Sequence, residues 1–385
     1  MPLPFERSEA LTLGVEMELQ IVDASTRDLS PGAPAALAAL GEHPKIKPEI
    51  FQAMLEVNTG ICRTPGEVRA DLAGTLRALR AACAGLGLRL ASAGSHPFAR
   101  HSERILYPAK RYEYLIDRNR WLARRLMVFG LHVHVGMRDG EHAMAMINGA
   151  LPYLPHLLAL SASSPYWQGG DTGLCSSRIT IFEALPTAGH PCTFDNWAAF
   201  ESAYDALIAS RAITSIKDIW WDIRPHPDYG TVEVRICDAL PTLSETVALV
   251  ALTQSLFAWL DQQYASGVAF APPPYWALRE NKWRASRSGL DADVVLDERG
   301  RTEPLHADID RLLEHLEPIA VSLGCEPELR TIGRMAAGPL SYRRQRQIVE
   351  DGGSLPAVVD ALLAEFDRDL DAAPLVSTGG GRAGG

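Results

Sequence analysis

Between Leu13 and Asp23 the chain reads LGVEMELQIVD. The odd positions Leu13, Val15, Met17, Leu19 and Ile21 are all apolar, while Glu16, Glu18 and Gln20 take the other side. Alternation with period two describes a strand with one buried and one polar face. The same code returns three times. Met54 to Asn58 (MLEVN) sets Leu55 and Val57 against Glu56 and Asn58. Leu131 to Val135 (LHVHV) sets its apolar residues against His132 and His134, and Val232 to Asp238 (VEVRICD) presents Glu233 and Arg235. A solvated outer face would explain any one such strand. Four of them carrying Glu, His and Arg, rather than Lys, Thr and Ser, predict a sheet with an apolar back. The charged face then suits metal ions and phosphates.

Helical spacing fills the intervals. Asp28 to Pro48 reads as a connection with a short helix, and Thr64 to Gly87 as a helix stopped by Gly85 and Gly87. Leu88 to Ala93 is a strand entering GSHPF, where His96 shapes a turn before Pro97. Tyr107 to Phe129 is an Arg-rich helix, and Glu141 to Ser163 a helix interrupted at Pro152 and Pro155. Ser164 to Gly189 begins as a Gly/Ser-rich loop and continues strand-like. Further helices are expected over Phe194–Ser210, Leu243–Tyr264, Ala307–Leu323 and Leu355–Arg368, with another opening at Arg279–Leu290. Lys217 to Asp238 forms a hairpin turning at PHPDYG, which can bring Arg224 near Glu233 and Arg235; Trp220 and Trp221 read as core. Interleaved strands and helices without a composition break predict one α+β catalytic domain over 1–370, with helices on the apolar back of the sheet. The low-complexity segment 371–385 is expected to be a disordered tail.

Composition narrows the partners. A net charge of −10 over 385 residues argues against nucleic acid or an anionic membrane surface. The longest apolar stretch, Thr246 to Leu260, holds Thr253, Gln254 and Ser255 and reads as too short and too polar to span a bilayer. The N-terminus lacks the pattern of a signal peptide. The six cysteines include no CxxC pair, so neither structural zinc nor a redox motif is expected, and a reducing cytoplasm fits.

The polar-face residues Glu16, Glu18, Glu56, His132, His134, Glu233, Arg224 and Arg235 form a hard-cation constellation for Mg²⁺ or Mn²⁺, with arginines placed to receive phosphates. The chain has neither a GxxxxGK[ST] loop nor a GxGxxG after a strand, so ATP would bind through metals and arginines on the sheet. Three functions stay open at this point. They are an ATP-dependent ligase, a metal-dependent hydrolase of an amide or peptide-like substrate, and a catalytically silent ATP- or amino-acid-binding protein.

The motifs GVEMELQIVD, MLEVNTGIC, AGSHPF, GLHVHVGM, LSASSPYWQGGDTG, WWDIRPHPDYGTVEVRICD and ENKWRASRSGLDA occur in order from about residue 11 to 290. Together they resemble the carboxylate–amine ligase family of bacterial type-2 glutamate–cysteine ligase homologues. The resemblance implies a glutamine-synthetase-like fold, a curved antiparallel sheet forming a funnel with helices on its outer face. It implies Mg²⁺ ligands at Glu16, Glu18, Glu56, His132 and Glu233, and catalytic phosphate contacts at Arg235 and Arg224. Arg178, Arg284, Arg287 and His134 are implied in binding ATP or a substrate carboxylate. It also implies small-molecule carboxylate and amine substrates joined through an acyl phosphate, weak glutamate–cysteine ligase activity, and a homodimer. One departure is Met17, where members often carry a third acidic residue; alternation turns Met17 to the apolar back.

Overall fold

The computed structural model describes residues 3–372. Its hub is strand β1 (Leu13–Asp23), which pairs antiparallel with three others because its length exceeds any single partner. One edge meets β5 (Gly130–Gly136) and, further along, β4 (Leu88–Ala91); the other meets β3 (Met54–Asn58). β2 (Ile46–Pro48) extends the sheet beyond β3. The hairpin of β6 (Ile223–His226) and β7 (Thr231–Asp238) extends it beyond β5. The order is β6-β7-β5-β1-β3-β2, with β4 beside β1, and these pairings are antiparallel.

The alternation reads out directly as burial. Leu13, Val15, Met17, Leu19 and Ile21 are at most 1% exposed and lie in the main apolar cluster, so Met17 does face the back. Helices α1 (Ala33–Leu40) and α2 (Pro65–Ala84) follow β1 and β3. Thr64 starts α2 by accepting the Glu67 N–H at 3.2 Å, with Pro65 pre-set in its first turn. The Arg-rich segment is two helices, α3 (Lys110–Asn119) and α4 (Trp121–Arg124), rather than one. Arg120 breaks it with φ of 50°, a conformation no helix propagates through. α5 (Gly140–Ala150) and α6 (Leu154–Ser161) are separated at the prolines, as expected. α7 (Ser177–Glu183) corrects the strand expected there. Its β-branched Ile179, Thr180 and Ile181 favour a strand by propensity. Contacts override them: Ser164 supplies its carbonyl to the Ser177 N–H and its hydroxyl to the Arg178 N–H, each at 3.0 Å.

α8 (Trp197–Ala209) precedes the hairpin. α9 (Leu243–Ala265) is the central helix, buried almost all round. At 23 residues it passes a bilayer test on length and composition, contrary to the shorter stretch taken from the sequence. Its apolar window is 89% buried inside the protein, and Gln254 donates to the carbonyls of Leu11 at 2.9 Å and Arg63 at 2.8 Å. The window over Gly140–Ser161 also passes and is 78% buried. α10 (Tyr275–Ser288), α11 (Leu305–Leu323), α12 (Glu326–Ala337), α13 (Ser341–Glu350) and α14 (Leu355–Asp371) complete the helices. One apolar cluster runs from Leu13 to Leu370. The tail expected from 371 lies outside the described residues beyond Ala372.

Candidate active site

Strand register gathers the polar residues. Across the sheet Glu18 stands opposite Glu56, Glu16 opposite His132, Glu233 opposite His134, and Arg224 opposite Glu233. Directly opposed residues share a face. They open into a cavity of about 510 Å³ lined by Glu16, Glu18, Glu49, Glu56, His132, Arg111, Arg178, Arg224 and Arg235, among others. A second cavity of about 740 Å³ adjoins it, sharing Glu16, Lys47 and Tyr229, and is lined by His134, Asn58, Thr59 and Ile61.

Three donor groups could each hold a metal ion: Glu16–Glu56–His132, Glu16–His134–Glu233 and Glu18–Glu49–Glu56. In each, one ligand atom per residue lies within 4.8 Å of the others. The charges are unevenly settled. Burial would raise the Glu16 carboxyl, but His132, hydrogen-bonded to it, and the His134 imidazole, whose Nε2 lies 3.5 Å away, outweigh it and hold Glu16 well below the usual range. Burial likewise opposes the Glu233 charge, and Arg224 and Arg235 overcome it. At the other end Lys47, 3.6 Å from Glu56, and Arg111 near Glu49 are too weak to do the same. Burial, then the Glu16 charge, pushes Glu56 up to about 7, even with Asn58 donating to it at 2.9 Å. Glu49 is pushed well above the ordinary range by burial and then by Glu56 and Glu18. A divalent cation would remove this conflict. The imidazoles agree with that fit. His132 Nδ1 lies 3.2 Å from Glu16 and His134 Nδ1 lies 3.0 Å from the Thr231 hydroxyl, while the buried Nε2 of each has no hydrogen-bond partner.

The arginines divide into two kinds. Arg224 is committed: it donates to Glu233 at 2.7 Å and to the carbonyls of Ile216 at 3.2 Å and Ile219 at 2.5 Å. It therefore acts by holding Glu233. Arg235 touches Glu233 with one nitrogen, keeps a buried Nε without a partner, and lies 5.9 Å from the Phe182 ring. Arg178, 2% exposed, reaches the same ring at 5.6 Å from α7. A β-bulge between Val234 and Cys237 seats Arg178. The carbonyls of Arg235 and Ile236, thrown out of the ladder there, accept its guanidinium at 3.3 to 3.4 Å. Gly130 is needed for this approach, since a Cβ there would lie 2.1 Å from Arg178 Nη2 and 3.0 Å from His132 Nε2.

The structure brings Glu16, Glu18, Glu56, His132, Arg178, Arg224 and Arg235 to one cavity and sets His134 in the adjoining one, with Glu233 buried between them. It does not bring Arg284 or Arg287. Arg284 pairs with Glu280 one turn away on α10, at 2.7 Å, and Arg287 is exposed on the same helix. Glu49, Phe182, Arg111 and Lys47 were missed. Glu49 lies between β2 and β3, outside any alternating run, so period two could not flag it. Arg111, one of several arginines in the segment read as an Arg-rich helix, lies in the first turn of α3 and lines the cavity. Trp220, assigned to the core, is buried and also lines the cavity. His96 shapes its turn as expected, accepting the Ala99 N–H at 3.0 Å.

Clustered carboxylates and imidazoles on an antiparallel sheet, walled by guanidinium groups, are a donor set suited to divalent cations and phosphate. A family model described as "Glutamate-cysteine ligase family 2" matches residues 12–360. A Bdellovibrio bacteriovorus protein named "Putative glutamate--cysteine ligase 2" is 49% identical over 371 residues, 96% of this chain and 98% of its own length. A protein of the same name from Thermobifida fusca is 46% identical over 388 residues, 99% of this chain and 96% of its own length. The chain belongs to glutamate–cysteine ligase family 2. Its fold is that of the Francisella tularensis glutamate–cysteine ligase in complex with AMP, with a TM-score of 0.69 at 12% identity over 95% of this chain and 89% of that one. A bifunctional glutathione synthetase from Pasteurella multocida gives 0.65 at 16% identity, over 93% of this chain and 52% of that one.

Proposed function

We propose that the protein is an ATP-dependent carboxylate–amine ligase that activates its carboxylate as an acyl phosphate. The observation that carries the reading is the meeting, in one cavity, of carboxylate–imidazole clusters with Arg178 and Arg235. A carboxylate ion is a poor electrophile. Transfer of the γ-phosphoryl group of ATP to its oxygen gives an acyl phosphate. An amine then attacks the carbonyl carbon, the C–O bond to phosphate breaks, and the amine loses a proton as the amide forms. Bound Mg²⁺, or Mn²⁺ in its place, would neutralise phosphate charge, held by Glu16, Glu18, Glu49, Glu56, His132, His134 and Glu233.

The chain's own residues do the rest. Arg178 binds an anionic group, a substrate carboxylate by the relatives' names. Arg235 meets charge that develops on the transferring group, and Arg224 fixes Glu233. The family name supports glutamate as the carboxylate and cysteine as the amine. The six free cysteines fit a reducing cytoplasm.

The test supplies ATP, Mg²⁺ and either glutamate with cysteine or a pool of amino acids and amines, and follows ADP together with product mass. ADP matched by a condensation product, both lost in Glu56→Gln and Arg235→Ala, is the expected outcome. Product without ATP would point to hydrolytic chemistry instead. ATP binding with no ADP from any pool would leave a binding protein.

A further inference from the structure

Lys282 is a buried charge in the motif ENKWRASRSGLDA, on the inward stripe of α10. It is 3% exposed and lies behind the cavity rather than in its lining. Its ammonium meets two carboxylates. Asp222 accepts from it with both oxygens, at 2.8 and 3.0 Å, and a Glu183 oxygen lies at 3.0 Å. Asp222 is itself 2% exposed, so that charge too is out of water. Removing charges from water is costly, and apolar side chains of similar shape often hold a fold as well. What the ion group adds is a fixed position. One ammonium reaches both carboxylates in only one arrangement of the three elements that carry them.

Those elements also carry the cavity's arginines. Glu183 is the last residue of α7, which presents Arg178 and Phe182 to the cavity. Gly189 leaves it room: its φ is 99°, and a Cβ there would lie 2.9 Å from Glu183 Oε1. Asp222 stands just before β6. Its N–H donates to the Gly189 carbonyl at 2.8 Å, and its own carbonyl accepts the Arg235 N–H at 2.8 Å. α10 grips the other end of α7 as well. The Ser286 carbonyl accepts the N–H groups of Cys175 and Ser176 at 2.8 and 3.0 Å, and the Ser286 hydroxyl donates to the Ser176 carbonyl at 2.9 Å. Ser286 thus sets where α7 starts, and Lys282, one turn earlier on α10, sets where it ends.

We propose, on the ligase reading above, that Lys282 is a positioning residue for the reaction. From behind the cavity wall it fixes Arg178 through Glu183 and Arg235 through Asp222. The two arms have separate consequences. Arg178 takes the substrate carboxylate, so slack in the Glu183 arm weakens carboxylate binding. Arg235 meets charge that develops during transfer, so slack in the Asp222 arm slows turnover. Neither arm acts on the amine.

Steady-state kinetics of the full chain with ATP and Mg²⁺, each substrate varied in turn, tests this, with urea titration to give the folded fraction of each variant. Lys282→Met should lower kcat and raise the carboxylate KM, each by about tenfold or more, with the amine KM unchanged. Glu183→Ala should raise the carboxylate KM by about tenfold and spare kcat, and Asp222→Asn should do the reverse. Glu280→Gln, paired with Arg284 on the outer stripe of α10, should change none of these. A fold defect would scale kcat with the folded fraction and leave every KM alone. Should Lys282→Met fail to fold, the two arm variants decide. Calorimetric titration with inorganic phosphate needs no turnover, and Lys282→Met should weaken that binding by about fivefold or more. A wild type that makes no product from any substrate pool would end the ligase reading and leave the phosphate titration to judge Lys282. Unchanged kinetics in folded Lys282→Met, the same effect from both arms, an amine KM that rises with the carboxylate KM, or unchanged phosphate affinity would overturn the proposal.

Discussion

The two faces of β1 are made from alternate residues of one backbone, yet they are opposite in character. The back, from Leu13 through Met17 to Ile21, is buried in the main apolar cluster with its packing complete. The front, Glu16 and Glu18 with their neighbours, is unfinished. Glu56 and Glu49 are driven toward the protonated state by burial and by like charge, and two imidazole nitrogens are left without partners. The back supplies cohesion that the front lacks. A sheet can hold mutually repelling carboxylates side by side only because the reverse of the same strands is anchored in oil.

This division can be broken at several points. The largest effect is expected from Arg235→Ala, which should lower ligase turnover by about 10²- to 10³-fold, measured by ADP release, with a smaller fall in thermal midpoint because Arg224 still pairs with Glu233, measured by calorimetry. An equally large drop in midpoint would mean the faces are not separable. Leu19→Ala should do the reverse, lowering unfolding free energy by about 2–5 kcal/mol while the folded fraction keeps its turnover; chemical denaturation followed by active-fraction kinetics reads both.

Acid should expose a cost unrelated to the front. Burial depresses His96 from 6.5 to about 4, so the folded chain refuses a proton that the unfolded chain accepts. Nothing is lost above the unfolded value. As pH falls from about 6.5 to about 4, stability should decline by up to about 3 kcal/mol, and His96→Gln should flatten that limb in urea titrations at stepped pH. The smallest effect sharpens the comparison most. Glu56→Gln should stabilise the metal-free protein at pH 8 by about 1 kcal/mol, since it removes a crowded charge, while shrinking the rise in midpoint that Mg²⁺ produces. Loss of stability on that substitution would show that Glu56 is structural.

Much of the front was legible because strand register converts period two into spatial adjacency. Glu16, Glu18, Glu56, His132 and Glu233 could be grouped before any coordinates, and Met17 could be turned away from them. What escaped had no period to show it. Glu49 sits in a connection whose path only tertiary packing fixes. Phe182 rides on α7 beside Arg178, which the family resemblance alone had marked; side-chain spacing suggested a strand there and the hydrogen bonds from Ser164 decided for a helix. Arg284 and Arg287 lie in a motif that follows the ligand-bearing ones in order, but helix phase turns them away from the cavity. Sequence spacing gives direction along an element; it does not say what the element faces.

The bulge in β7 carries a last consequence, for the ions around the protein. Arg224 and Arg235 share the one Glu233 carboxylate, while Arg178 is seated by neutral carbonyls and feels only the more distant buried carboxylate of Asp238. The charge left over is open to small anions of the surrounding medium as well as to substrate. Chloride, inorganic phosphate and small organic acids thus stand in line for the same guanidinium, and the apparent affinity for the carboxylate substrate becomes a property of the medium as much as of the cavity.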